Sequence, residues 1–196
     1  MKCILIVLLF TITLSCGDND AAENTLPSES IEKERTEILF PNYESVSEMI
    51  NVAGDYIENC FDELSVNEKE TKIRVSSEFF IDEPQESMKE QVKRDIVYVT
   101  FQTFAQTSIN KITITSIPIL RNDFNPHKPH DGKQQNSLKQ TLTVTREKAA
   151  EVMLKYAEIE SFQDLYTLSG TLYLPNSKFD QLKFEKLNNV FADLKK

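Results

Sequence analysis

The chain has 196 residues and a formal net charge of −9, with 31 Asp and Glu against 22 Lys and Arg. That acidity argues against nucleic-acid binding, which needs clustered Lys and Arg, and against lying flat on anionic lipid. Three cysteines, four glycines and no tryptophan leave little for a disulfide framework, a glycine-rich phosphate loop or a sugar platform built on indole rings.

Lys2 supplies a short positive start, and residues 4–14 form an apolar run interrupted only by Thr11 and Thr13. The run has the length of a signal-peptide core and is too short to span a bilayer. Ser15 and Cys16 follow, and the chain turns polar at once with Gly17, Asp18, Asn19 and Asp20. The segment Thr13-Leu14-Ser15-Cys16 resembles the lipobox of bacterial lipoproteins; the family usually has Leu three places before the cysteine, where Thr13 stands here with Leu14 one place on, and looser boxes of this kind are known in Bacteroidota-like lipoproteins. The resemblance implies that residues 1–15 are a signal peptide and that Cys16 carries a diacylglyceryl thioether after cleavage. It further implies anchoring in the cell envelope, most simply at the outer membrane, since Gly17 rather than Asp follows the cysteine. Two or three acyl chains would hold the protein firmly, whereas one chain binds reversibly. The other readings of the same residues are ordinary secretion with a cut near Ser15 and a retained N-terminal anchor. With Cys3 removed in the signal and Cys16 carrying lipid, no intrachain disulfide is expected in the mature chain, and stability rests on a packed core.

Residues 16–44 read as an acidic tether, with eight Asp or Glu between 17 and 44 against Lys33 and Arg35. As a flexible coil it would average about 30 Å end to end. Ile31, Ile38, Leu39 and Phe40 are candidates to dock on the domain that follows.

Residues 45–196 are expected to form one α+β domain. Apolar positions from Val46 to Leu64 recur at three and four, which predicts one helix over 46–64 with Ser45 or Ser47 as cap and Cys60 on its buried stripe. Alternation over 72–81 predicts a strand with Ile73, Val75 and Phe79 inward and Arg74, Ser76 and Glu78 outward. Residues 87–109 predict a long helix, with Ser87 and Glu90 as a capping box. Its β-branched and aromatic part, 96–104, also suits a strand. A strand over 111–119 changes parity between Ile114 and Ile117, which a bulge near Thr115 and Ser116 would reconcile. Residues 138–145 predict a strand pairing back on it around the polar loop 121–137. Thr145 then caps a helix over 146–159, and a helical turn is possible over 161–166. Leu168, Leu172 and Leu174 suggest one short strand. A last helix from Ser177 should bury Phe184, Leu187, Val190 or Phe191, and Leu194.

The order α-β-α-β-β-α-β-α, with a long helix between the first two strands, predicts a right-handed parallel crossover. The fold expected is a small mixed sheet of three to four strands with helices over one face.

Candidate chemistry gathers on the loop 121–137. His127 and His130, with Asp123 and Asp131 near, are weak metal candidates, because imidazole and carboxylate are metal ligands but this spacing matches no established metal motif. Arg121, Phe124, His127 and His130 mark the same loop as a candidate binding surface. No nucleophile-base pair, catalytic dyad or metal motif stands out, and no cofactor is expected beyond the lipid on Cys16. The reading is a non-catalytic, membrane-anchored binding module for a protein or small molecule. The alternatives are a metal-assisted hydrolase on the His127 and His130 loop and a structural subunit of an envelope complex.

Overall fold

The first helix ends early. In the computed structural model, which describes residues 38–56, 60–121 and 132–196, helix α1 spans Val46–Ala53 and stops at Gly54, whose φ of 69° is the left-handed C-cap conformation. The Gly54 N–H donates to Ile50 O at 3.0 Å, and the absence of a Cβ makes that geometry cheap. At the other end Ser45 Oγ accepts from the Glu48 N–H at 3.1 Å. The single helix expected over 46–64 is therefore two elements, because strand β1 occupies Phe61–Asn67. The apolar spacing from Tyr56 to Leu64 suited a helix by coincidence; a positive-φ glycine decided the matter. Glu63 of β1 returns to the start of α1, accepting from the Ser47 N–H at 2.7 Å and from Thr71 Oγ1 at 2.7 Å. A carboxylate there satisfies helix amides that have no partner within the helix.

Strands β2 (Glu70–Val75), β4 (Lys111–Ser116) and β7 (Gln140–Thr145) complete a four-stranded mixed sheet in the order β1-β2-β4-β7. β1 and β2 are antiparallel, β2 and β4 parallel, β4 and β7 antiparallel. The parallel step is bridged by helix α2 (Gln85–Gln106), as the crossover required. One face of the sheet buries Ile73, Val75, Ile112, Ile114, Leu142 and Val144 under the helices. The other is polar, with hydroxyl pairs Thr113–Thr143 and Thr115–Thr141 at 2.9 Å. The mixed α+β fold with helices on one face is as expected.

Both parallel strands then break at the same level. β3 (Glu78–Phe80) and β5 (Ile119–Arg121) continue β2 and β4 as a second parallel pair, with β6 (Lys133–Gln134) antiparallel to β5. The parity change is real, and Ile117 and Ile119 are buried. The cause is a strand break at Ile117 and Pro118, not a bulge: the β4–β7 register runs unbroken to Ser116. The break in the neighbouring strand turns Ser76 inward, where it is 5 % exposed, although alternation placed it outward.

α2 is helical throughout, and every residue from Asp95 to Gln106 is buried. A helix that is covered all round belongs to the interior. Its N-cap is Pro84, without a side-chain bond, so Ser87 and Glu90 lie inside the helix and form no capping box. Thr145 does cap α3 (Arg146–Ala157), accepting from the Lys148 N–H at 3.2 Å. A 3-10 turn at Phe162–Leu165 follows.

Two late segments depart from their apolar pattern. Leu168, Leu172 and Leu174 belong to a hairpin, β8 (Tyr166–Ser169) and β9 (Leu172–Pro175), turned at Gly170 with φ 64°. All three leucines are exposed. The last helix is α4 (Ser177–Asp180), a π-turn at Gln181–Glu185 and α5 (Leu187–Leu194). The Lys186 N–H reaches Gln181 O at 2.8 Å, five residues back. That extra residue shifts the phase, so Phe179 and Leu182 join Leu187, Val190 and Leu194 in the core while Phe184 is 47 % exposed.

Candidate functional site

Cys16, Asp123, Phe124, His127, His130 and Asp131 lie outside the described residues. Arg121 is described: it sits on β5, 5 % exposed, with its guanidinium 2.6 Å from Glu78 Oε2. It ties β5 to β3 and is part of the second sheet. Cys60 is buried just ahead of β1, and burial raises its thiol pKa. Among the described residues no group of three or more His, Cys, Asp or Glu is placed to hold a metal.

The concave feature with the most suitable walls is a cavity of about 540 Å³ between the β8–β9 hairpin, the end of α1, the buried part of α2 and the π-turn. Residues 38–43 close its side. Tyr173 Oη donates to Ile38 O at 3.1 Å, and the Tyr43 N–H donates to Gln106 O at 2.7 Å. The chain ahead of α1 is thus laid across the domain, with Phe40 packed and Leu39 78 % exposed.

The aromatic rings of the wall, Tyr173, Tyr166, Phe179 and Tyr98, pack edge to face in a succession that includes Phe40, which is outside the lining. Tyr173 meets Phe40 at 4.8 Å, Phe40 meets Tyr166 at 5.6 Å, Tyr166 meets Phe179 at 5.6 Å and Phe179 meets Tyr98 at 5.3 Å between centroids. Such pairs are favoured by the ring quadrupoles and hold the wall in one arrangement. At the mouth the side chains are apolar yet left in water: Val52 is 63 % exposed, Leu172 64 % and Leu174 48 %. Scattered exposed leucines need no explanation; here the exposed apolar side chains are gathered at one opening.

The polar groups converge at one end. Tyr98 Oη donates to Asp55 Oδ2 at 2.6 Å. The Lys183 ammonium stands 4.0 Å from the centroid of the Tyr98 ring and 5.3 Å from that of Phe184. Burial lowers the Lys183 pKa, and the negative charges of Asp55, Asp95 and Asp180 oppose that shift. Two polar atoms of the wall, Gln102 Oε1 and Tyr166 Oη, are buried and have no hydrogen-bond partner. Native proteins seldom leave such atoms unpaired.

Asp55, Tyr98 and Lys183 also border a smaller polar chamber of about 80 Å³ that reaches Asp95. The Asp95 carboxylate accepts from Ser116 at 2.7 Å, Gln91 at 2.9 Å, Ser77 at 3.0 Å and Tyr56 at 3.2 Å. With four donors spent on it, Asp95 is a tie between α2 and the sheet breaks.

A shallow depression of about 600 Å³ lies beside Arg146 and Phe162. Its arginine is already used. Arg146 donates to the carbonyls of Phe104 at 2.5 Å, Thr107 at 2.8 Å and Ile109 at 2.7 Å, with its guanidinium between the Phe104 and Phe162 rings. It caps the end of α2.

None of the cavity residues formed a motif in the sequence. They come from five separate segments, and the one local signal was the exposed apolar run at Leu172 and Leu174, which reads as a buried strand until the hairpin is seen. No protein-family model, curated protein or solved structure matches the chain.

Proposed function

We propose that the protein is a lipid-anchored, non-catalytic binding module of the cell envelope, tethered through Cys16 at the outer membrane. Its ligand occupies the cavity between the hairpin and the π-turn. The observation that carries the reading is that cavity: aromatic walls, a water-exposed apolar mouth, and two buried polar atoms without partners in the wall. Its size lies within the range of about 300–1,000 Å³ common for small-ligand sites, with the usual mix of apolar walls and a few converging polar groups.

The cavity is tested with the processed chain carrying C16S and the neutral dye N-phenyl-1-naphthylamine. One dye should bind per chain, and L172D, a charge at the mouth, should weaken it at least tenfold with the thermal melt unchanged. No dye binding, or equal binding by L172D, overturns the cavity as ligand site. The anchor is tested on the native protein by mass spectrometry of its first residue. A diacylglyceryl mass on Cys16 supports it, and a different N-terminus or an unmodified cysteine overturns it.

A further inference from the structure

We infer that the occupant is a single-chain amphiphile ending in a carboxylate, its chain along the aromatic wall and its oxygens at Lys183 and Tyr166; this rests on the cavity being the ligand site. The inference comes from which polar groups are spent and which are not.

Lys183 is half-buried, and it has ring faces on one side but no hydrogen bond or ion pair to any described residue. Asp55 and Asp180 line the same cavity, yet neither comes within the 4.0 Å of an ion pair with its ammonium. An ammonium is a compact, strongly hydrated charge, so partial withdrawal from water leaves three donors wanting acceptors. Tyr166 is 7 % exposed and its hydroxyl is unpaired. Among the buried atoms of the wall one acceptor, Gln102 Oε1, stands against these donors, and the carboxylates of Asp55 and Asp180 lie on its exposed part. An acceptor at contact distance is therefore what Lys183 and Tyr166 lack, and a carboxylate head group supplies two oxygens and a negative charge closer to the ammonium than Asp55 and Asp180 stand.

A cationic head is disfavoured by the same geometry. The Tyr98 face, where an ammonium ligand would gain most, is already taken by Lys183 at 4.0 Å. The apolar mouth explains why the ligand carries a chain. Val52, Leu172, Leu174 and Phe184 are each close to half exposed or more, and a hydrocarbon tail lying between them would remove that surface from water.

The test uses the processed C16S chain and displacement of N-phenyl-1-naphthylamine by myristate, 1-tetradecanol and tetradecylamine, each below its micelle concentration. Myristate should displace the dye at concentrations at least tenfold lower than either of the others. K183M should abolish that preference and leave displacement by tetradecanol unchanged, while K183R keeps the preference. Tetradecanol or the amine equalling myristate, or K183M retaining the preference, overturns the carboxylate assignment and leaves the cavity standing. Failure of the dye itself to bind overturns both.

Discussion

Ser116 closes β4 with its hydroxyl 2.7 Å from Asp95, which lies midway along α2. The carboxylate is 2 % exposed, and its pKa is raised, burial outweighing the four hydrogen bonds that favour the charge. Asp193 is the opposite case. It accepts from Lys155 at 2.6 Å, Lys196 at 2.5 Å and Tyr156 at 2.8 Å, and these bonds hold it well below the usual carboxylate range. The two therefore give stability opposite pH dependences. Asp95 has a folded pKa above its ordinary 3.8, so its contribution is full below that value and is lost as pH rises through the folded pKa. Asp193 contributes above 3.8, and that contribution is lost as pH falls through its lower folded pKa. Urea denaturation from pH 2 to pH 8 should show D95N gaining on the wild type as pH rises from about 4. D193N should approach the wild type only on the acid side. D95A, which leaves four donors without an acceptor, should cost about 1–3 kcal/mol.

Arg146 is expected to be the most demanding charged residue of the domain. Its fork serves three carbonyls at the end of α2 and lies between two rings, and a lysine ammonium cannot reproduce that planar set of donors. R146K should lose about 2–4 kcal/mol through carbonyls left unpaired. The urea midpoint should fall with the slope unchanged, as for a loss of stability without a change in the surface exposed. A midpoint equal to the wild type would mean that water serves those carbonyls equally well.

The mouth and the wall of the cavity should separate in energy. Leu172 and Leu174 are exposed, so L172S and L174S should stay within about 0.5 kcal/mol of the wild type. Phe179 is 0 % exposed and touches both Tyr98 and Tyr166, so F179A should cost about 3–5 kcal/mol. Denaturation midpoints check both. A large loss in the leucine variants would show that those side chains serve folding.

The His127 and His130 loop has a direct test by metal analysis. For a binding module without a metal, purified protein should hold well under one zinc per chain, and the H127A/H130A variant should hold the same amount. One zinc per chain, lost in the double variant, would favour the hydrolase reading instead.

Local chemistry was legible where one residue decides one element. Thr145 was readable as a cap because hydroxyl capping acts within three residues, and α2 was readable because a long apolar run without Gly or Pro has few other uses. Gly54 was in view, but the spacing beyond it fitted a helix, and only the pairing of β1 with β2 shows why that pattern belongs to a strand. The π-turn at Gln181–Glu185 leaves no sign in composition, so the apolar spacing puts Phe184 in the core while the structure leaves it exposed. The cavity was illegible for a different reason. Its chemistry depends on Asp55, Tyr98, Tyr166 and Lys183 meeting across more than a hundred residues of chain, and no local pattern encodes such a meeting.

The way the chain enters the domain has a mechanical consequence. Ile38 and Tyr43 are fastened by single hydrogen bonds to Tyr173 and Gln106, whereas the sheet is stitched by whole ladders. Tension arriving from the N-terminal side would peel residues 38–43 away before it strained any strand, stripping Phe40 from its rings and unroofing the hollow beside them.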